Sequence, residues 1–116
     1  MVFNQRDIVL VQFPFTDLSK SKLRPSVIIS RSSINTSGDF VCAQITSKIF
    51  EGATFFPLED AMLETILPLT RGIRLHKVVC LNQKLIIHKV SAMKEPPFLQ
   101  LIERLLQTVL LPDISV

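Results

Sequence analysis

The sequence contains no tryptophan and no tyrosine, so eight phenylalanines supply all of its large aromatic rings. Proteins that hold single-stranded nucleic acid usually stack its bases on exposed aromatic side chains. Half of these rings are candidates for exposure: Phe15 lies in a polar loop, and Phe50, Phe55 and Phe56 are the other three. A module that binds nucleic acid by stacking would therefore depend on these phenylalanines.

Cysteine is also scarce. The two cysteines, Cys42 and Cys80, each stand in an apolar stretch. Neither belongs to a CxxC pair or has a histidine at the spacing of a zinc site. We expect both thiols to be small buried hydrophobic groups, and we predict no metal site and no cofactor.

Long apolar runs are absent as well. No run approaches the roughly 18 residues that span a membrane, and residues 4–7 are polar where a signal peptide would be apolar. The 116 residues are 47% hydrophobic and 20% charged, which suits one compact domain over residues 1–116. We therefore expect a single-domain cytoplasmic protein.

Net charge does not decide the function, because it is only +3. The distribution of the basic residues is more informative. Lys20, Lys22 and Arg24 cluster in one loop, and Arg71 and Arg74 lie close together later in the chain. If these two regions meet in the fold, they form a basic patch suited to a phosphate group.

The hydrophobic pattern predicts a mainly β fold. Runs of β-branched residues bounded by Pro, Asp and Ser favour short strands, and their spacing favours a small barrel. From residue 98 to 109 apolar residues recur every three or four positions, which predicts an amphipathic helix that Pro112 ends. A short helix is expected over residues 59–66 and an exposed loop over 31–39. The predicted strands are residues 8–13, 26–30, 40–45, 54–57, 72–75 and 77–81.

Residues 7–30 carry the most informative pattern. The strand sequence DIVLVQF (7–13) is followed by a polar loop and then by RPSVIIS (24–30). Pro25 fixes its own φ and favours an extended conformation at the preceding residue. The guanidinium of Arg24 is therefore held at the start of a strand.

These segments resemble the MazF/PemK family, the ribonuclease toxins of type II toxin–antitoxin systems. The resemblance continues in the same order through FVCAQITS (40–47), IRL (73–75) and LNQKLI (81–86). It implies an SH3-like β-barrel with a few helices, a homodimer, a cognate antitoxin as partner and single-stranded RNA as substrate. It also implies a catalytic role for Arg24, an active-site position for Thr46 and a place near the site for Arg74.

RNA cleavage without a metal needs fixed positive charge at the phosphorus and groups that take and give a proton. Arg24 can supply the charge, but a guanidinium stays protonated and is a poor base. Alternation along a strand places Arg74 and His76 on one face, so a cation and a group titrating near pH ~6.5 could address one phosphate. The predicted catalytic residues are Arg24, Thr46, Arg74 and His76, with His76 as acid or base, and further RNA contacts are predicted at Phe15, Lys20, Lys22, Gln44, Ser47 and Arg71.

Each of these assignments has a plainer alternative. Arg24 can be a surface ion-pair residue, Thr46 and Ser47 can satisfy only their own turn, and His76 can be an ordinary solvent-facing side chain.

The chain also departs from the family pattern. Arg6 stands where a glycine is common, the loop before Arg24 is short, and His76 and Asn82 replace aspartates. These differences leave open whether catalysis is retained.

Three functions remain in view. The predicted one is an mRNA-directed endoribonuclease that cleaves by attack of the 2′-hydroxyl. The alternatives are a module that holds RNA or a peptide without turnover, and a toxin that acts on a protein target by contact. Apolar residues beyond the needs of a small barrel, namely Leu63, Ile66, Leu67 and Leu69, favour a homodimer.

Overall fold

The structure is a computed structural model that describes residues 3–14 and 21–114. Within these ranges the chain forms strands, two α-helices, 3-10 turns at Asp60–Met62 and Gln83–Leu85, and a π-helical turn at Leu106–Leu110. The strands are β1 (Asp7–Pro14), β2 (Ser21–Ile28), β3 (Asp39–Thr46), β4 (Phe55–Pro57), β5 (Gly72–Asn82) and β6 (Ile86–Ala92), and the α-helices are α1 (Ser32–Asn35) and α2 (Glu95–Leu105).

All six strands belong to one antiparallel sheet in the order β4-β5-β3-β2-β1-β6. The predicted mainly β fold with a carboxy-terminal amphipathic helix and short helices is confirmed. The sheet is not closed, however, because β4 and β6 remain its edges in the part of the chain that the structure describes. None of the helices in that part has the length and apolar character needed to cross a membrane.

Alternating side chains build one hydrophobic cluster on each side of the sheet. In β1, Ile8 joins the larger cluster, whereas Val9 and Val11 join the smaller one, and all three are fully buried. The larger cluster includes Ile73 and Leu75 of β5 together with residues of α2. The two clusters fix the register of the sheet, because a slip of one residue would exchange their members.

Helix α2 forms where apolar residues recur at helical spacing. Phe98, Leu101 and Leu105 are buried against the larger cluster. Proline is tolerated in the first turn, where Pro96 and Pro97 stand, because the first amides of a helix have no intrahelical partner.

Several local predictions were wrong in detail. The expected loop 31–39 contains α1, whose buried Asn35 donates from its side-chain amide to the Ser30 carbonyl at 2.9 Å. The expected helix over residues 59–66 is reduced to the 3-10 turn Asp60–Met62. The strands expected at 72–75 and 77–81 are one strand, β5, and β6 was not predicted at all.

Burial also corrects some expectations. Cys42 is buried as predicted, but Cys80 is exposed on β5. Phe55 and Phe56 are buried rather than exposed. Of the apolar residues assigned to a dimer contact, Leu63 is buried and Leu67 packs against the larger cluster, while Ile66 and Leu69 are exposed at 63% and 74%.

Candidate active site

A cavity of about 270 Å³ opens between β2 and β3 at the end where Arg24 lies. We call it the Arg24 cavity. The first strand of the pair contributes a lysine and the partly buried arginine, and the end of β3 contributes two hydroxyl side chains. Its lining residues are Lys22, Leu23, Arg24, Pro25, Ile45, Thr46, Ser47, Pro68, Leu69 and Thr70.

The cavity exists because the pairing between β2 and β3 ends at Pro25. The ladder between these strands runs from Ser26 to Ile28, paired with Gln44 to Cys42. Proline has no N–H and cannot donate to a ladder. Beyond that point β2 stays paired with β1, where Arg24 faces Val11, while β3 continues along β5 to Thr46. Arg24 and Thr46 therefore stand on opposite walls of the gap.

Thr46 is fixed at the end of β3 by its backbone and its side chain. Its carbonyl accepts a hydrogen bond of 2.8 Å from the Arg71 amide, and its hydroxyl accepts one of 3.1 Å from the Lys48 amide. The residue is only 7% exposed, although it lines the cavity. A threonine hydroxyl can accept two hydrogen bonds and donate one, so the turn to Lys48 leaves capacity for a ligand. Ser47 beside it is exposed.

The segment before β5 forms a wall that the sequence analysis did not assign to the site. Leu69 has a φ of 63°, in the left-handed region that non-glycine residues rarely adopt. The Thr70 hydroxyl donates to the Leu67 carbonyl at 2.9 Å, which ties the segment together. The signal that could have located this wall is the sequence Pro68-Leu69-Thr70, a turn composition directly before a predicted strand.

Arg74 and His76 form a separate group next to the cavity. The guanidinium of Arg74 lies over the Phe50 ring, 3.9 Å from its centroid, and its Nη2 is 3.2 Å from Nε2 of His76. We call these three residues the Arg74 cluster. As predicted from alternation, the arginine and the histidine share a face, but neither lines the Arg24 cavity.

The contact between Arg74 and His76 bears on the protonation state of the imidazole. A guanidinium can only donate hydrogen bonds, so a hydrogen bond here requires Nε2 of His76 to accept, as it does in a neutral ring with its proton on Nδ1. The pKa of His76 is lowered from 6.5, first by desolvation and then by the positive charges of Arg74 and Lys77. The contact and the lowered pKa both favour the neutral imidazole.

Gly72 separates the cavity from the Arg74 cluster. It pairs with Thr46 across the sheet and lies two residues before Arg74 in β5. A Cβ at this position would overlap the Phe55 ring and come within 2.7 Å of the Phe56 carbonyl oxygen. Glycine therefore lets the Phe55 ring pack directly on the strand between the two groups.

The remaining predicted RNA contacts are spread around this region. Lys22 is exposed at the cavity wall, and Gln44 is partly buried beside Ser26 in the sheet register. The side chain of Arg71 is exposed and its backbone is bonded to Thr46. Phe15 and Lys20 lie outside the described residues.

The described residues contain no group of three or more His, Cys, Asp or Glu side chains that could hold a metal ion. Burial raises the pKa of the Cys42 thiol to about 12, so this cysteine is protonated at neutral pH.

Known proteins resemble this chain both in sequence family and in fold. The family described as the PemK-like, MazF-like toxins of type II toxin–antitoxin systems matches residues 4–110. A search of the curated proteins gives no match.

Solved structures share the fold at low sequence identity. An endoribonuclease in complex with its cognate antitoxin, from a mycobacterial species, matches with a TM-score of 0.77 at 13% identity, over 97% of this chain and 99% of that one. An endoribonuclease from a mycobacterial species gives 0.75 at 15% identity, over 98% and 97%. A MazE–MazF structure from Deinococcus radiodurans gives 0.74 at 12% identity, over 92% and 95%. Since the family match spans most of the sequence, the chain belongs to the PemK-like, MazF-like toxins of type II toxin–antitoxin systems.

Proposed function

We propose that this toxin is a metal-independent endoribonuclease that cleaves single-stranded RNA at the Arg24 cavity. The observation that carries the proposal is the meeting of a guanidinium with two hydroxyl side chains, Thr46 and Ser47, in one concave site. Fixed donors aimed at a phosphate are the main requirement for phosphoryl transfer, because they stabilise the charge that develops in the transition state.

The cleavage step is an internal transfer. The 2′-oxygen of the RNA forms a bond to phosphorus, the bond from phosphorus to the 5′-oxygen breaks, and the products are a cyclic phosphate and a 5′-hydroxyl end. Arg24 donates hydrogen bonds to the phosphate oxygens, and the Thr46 hydroxyl donates one more. These contacts strengthen as negative charge accumulates on the oxygens.

Proton transfer in this scheme involves the solvent. The residues that line the cavity include no histidine, carboxylate or cysteine in the part of the chain that the structure describes. Water takes the proton of the 2′-hydroxyl and gives one to the leaving 5′-oxygen. Arg24 acts by charge stabilisation alone, since its guanidinium does not release a proton at ordinary pH.

The Arg74 cluster has a different task in this proposal. Sequence-specific RNA recognition stacks unpaired bases on aromatic rings and on guanidinium planes. Arg74 and His76 present such planes beside the cavity, with Phe50 supporting the guanidinium. We assign to them the base next to the cleaved phosphate, and so a part in the choice of cleavage sequence.

A cognate antitoxin is the proposed protein partner. The solved MazE–MazF structure and the mycobacterial complex show that proteins of this fold occur with antitoxins. An acidic and apolar antitoxin segment would complement the Arg24 cavity, where Lys22 and Arg24 lie beside the exposed side chains of Leu23 and Leu69. We also retain a homodimer as part of the proposal, with exposed Ile66 among its contacts.

The first test is cleavage of long single-stranded RNAs in EDTA, followed by mapping of the product ends. We expect discrete cuts with 5′-hydroxyl ends that Arg24→Ala abolishes. Arg104→Ala is the matched control, because Arg104 is an exposed arginine on α2 outside the site. Thr46→Val tests the hydroxyl while keeping the branched shape of the side chain.

The same experiment separates the alternative functions. RNA that stays intact, with a folded protein and substrates of varied sequence, would contradict the enzyme and favour a module that only binds. Growth inhibition that persists in Arg24→Ala would instead point to action on a protein target.

A further inference from the structure

A second cavity, of about 390 Å³, lies beyond the other end of β2. We propose that it binds a nucleotide through its phosphate, and we call it the Arg6 cavity. The residues before β1 form one wall and the start of the α1 segment forms the other. The cavity is lined by Phe3, Asn4, Gln5, Arg6, Arg31, Ser32 and Asn35.

The charges of the Arg6 cavity favour an anion. Among the described residues, the charged ones that line it are Arg6 and Arg31, and none of these lining residues is a carboxylate. The adjacent acid, Asp7, is buried and is not a lining residue: its carboxylate accepts from the Asn4 backbone amide at 2.8 Å and pairs with Lys89 at 3.1 Å. Neither arginine makes an ion pair with a described residue. Two guanidiniums in one concavity focus a positive potential, and their forked donors match a phosphate group.

The backbone at Arg6 adds a second, independent observation. Its φ is 81°, a left-handed conformation that is easy for glycine and strained for an arginine. The backbone is held on both sides, because the Arg6 amide donates to the Ile28 carbonyl at 2.8 Å and its carbonyl accepts from the Met93 amide at 2.9 Å. A glycine would make both bonds without strain. The backbone therefore gives no reason for an arginine here, and strain of this kind is typical of ligand sites.

The side chain of Arg6 is also positioned. Its Nη1 donates to the Met93 carbonyl at 3.3 Å, which orients the guanidinium at the cavity wall. A guanidinium has five N–H donors, so this bond leaves others for a ligand. Arg31 is exposed, and makes no side-chain hydrogen bond to a described residue.

The rest of the lining suits a base rather than a lone ion. The cavity is far larger than one phosphate and lies within the roughly 300–1,000 Å³ typical of small-molecule sites. Phe3 presents a half-buried ring. Gln5 donates its Nε2 to the Ile29 carbonyl at 2.9 Å, which leaves its side-chain oxygen as an acceptor for a base edge. Ring, amide and guanidinium groups together match the parts of a nucleotide.

This site is distinct from the Arg24 cavity. Arg24 stands near the start of β2 and Arg31 beyond its end, a separation on the order of 20 Å along an extended strand. The nucleotide in the Arg6 cavity is either a free mononucleotide or one unit of a bound RNA strand. Both present the same phosphate and base.

The test is a nuclear magnetic resonance titration of the ¹⁵N-labelled full chain. The probes are AMP, UMP, inorganic phosphate and a six-nucleotide single-stranded RNA, the last in an Arg24→Ala background so that it stays intact. We expect saturable shifts of the amide signals of residues 4–6, 31 and 32. Arg6→Gly and Arg31→Gln should each weaken nucleotide binding at least tenfold, and Arg104→Ala should leave it unchanged.

Arg6→Gly also separates binding from folding. Because glycine relieves the strain at φ 81°, the melting temperature of the variant should be no lower than that of the unsubstituted protein. Loss of binding with a retained melting temperature cannot then be a folding defect.

Each result of the titration either supports or overturns the proposal. Saturation by AMP or UMP supports a free-nucleotide site, and saturation by the RNA alone supports a strand-borne one. The proposal is overturned if no probe saturates, if inorganic phosphate binds as tightly as the nucleotides, or if neither substitution weakens binding. Because the titration measures no cleavage, its failure leaves the proposed ribonuclease untouched, and loss of the ribonuclease leaves this site untouched.

Discussion

Arg24 and Arg74 belong to the same sheet but have different surroundings. Arg24 lines a cavity together with hydroxyl side chains and a strained wall segment. Arg74 is half-buried outside that cavity, 3.9 Å from the centroid of the Phe50 ring and 3.2 Å from Nε2 of the exposed His76. A cavity surrounds a phosphate with donors, whereas a flat group presents one plane to a ligand.

The two arginines also differ in the strand pairing around them. At Pro25 the ladder between β2 and β3 ends, so the strands part and Arg24 faces the gap. At Arg74 the pairing between β4 and β5 continues, with Phe55 directly opposite. On the other side of β5 the register with β3 shifts between the Ala43–Val78 and Ile45–Ile73 pairs, and Arg74 is not among the residues that line the Arg24 cavity. We therefore expect Arg24 to control the rate of cleavage and Arg74 to control recognition.

The sharpest test of this contrast is the pair of variants Arg24→Lys and Arg74→Lys. Lysine keeps the charge but loses the planar fork. Loss of one well-placed donor to a transition state costs on the order of 10²-fold in rate, and we expect this for Arg24→Lys. For Arg74→Lys we expect less than about tenfold, because an ammonium still interacts with an aromatic ring. Single-turnover cleavage of one RNA measures both.

The contrast fails if the two lysine variants lose rate equally, or if Arg74→Lys loses more. Arg104→Lys on α2 is the control for a general effect of exchanging an exposed arginine. Two results together would support a role of Arg24 in the rate and of Arg74 in recognition. Arg74→Lys should change the order of preferred cleavage sequences, and Arg24→Lys should be slow on all of them.

Gly72→Ala tests the junction between the two regions. The new methyl group would overlap the Phe55 ring and the Phe56 carbonyl oxygen, and overpacking of this kind typically destabilises by about 1–3 kcal/mol. Since Gly72 pairs with Thr46, we expect cleavage to fall along with stability. Urea unfolding and cleavage at a temperature where the variant is folded measure the two effects.

Gly38→Ala is the control for this substitution. Gly38 has a φ of 99° and open space around its Cβ position, so alanine there costs backbone strain without a clash. It should lower stability and leave the cleavage rate of the folded protein intact. Equal cleavage by both variants would show that the junction does not matter to the site.

The pattern of the sequence predicted much of the sheet, because β-branched residues that alternate in burial leave a strong local signal. It did not predict β6, where the exposed residues Ile87, His88 and Lys89 interrupt the alternation. Cys42 and Cys80 show the limit most clearly. Both follow a valine in an apolar stretch, yet one faces the smaller core cluster and the other is exposed. Burial depends on what covers each face, which local sequence does not state.

The candidate site, like the sheet, was predictable from the sequence only in part. The motif around Arg24 and the strand end at Thr46 located the two walls that face each other in the cavity. The third wall, with Leu69, was instead assigned to a dimer contact because its apolar side chains carry no chemical signal. The role of Phe50 beside Arg74 depends on a contact between a loop and a strand 24 positions later, which no local pattern reveals.

Phe50→Ala should have a smaller effect than the changes above. A cation–π contact near the protein surface contributes about 0.5–1 kcal/mol, so the loss corresponds to a few-fold change. We expect it in the relative cleavage of RNAs that differ in the base next to the cut. Phe50→Leu is the control, because leucine keeps an apolar side chain without the ring. A uniform loss of rate on every RNA would place Phe50 in the machinery of Arg24 instead.

The smallest expected effect is a shift in the titration of His76. In the unsubstituted protein the pKa of His76 lies below 6.5, with desolvation as the largest cause and the charges of Arg74 and Lys77 as further ones. Arg74→Gln removes one charge and leaves the desolvation, so the pKa should rise only part of the way towards 6.5. Titration of the ring signals by nuclear magnetic resonance, assigned with His76→Gln, measures the shift.

The lowered pKa of His76 determines the direction in which stability changes with pH. Between the folded pKa and 6.5 the unfolded chain binds more protons than the folded one, so stability falls as the pH drops through this window. Protonation also removes the acceptor at Nε2 and places two positive charges side by side, which breaks the contact with Arg74. Base preference should therefore weaken below this window, while Arg24, which keeps its charge, sustains cleavage. A preference that is constant across the window would show that His76 does not hold Arg74 for recognition.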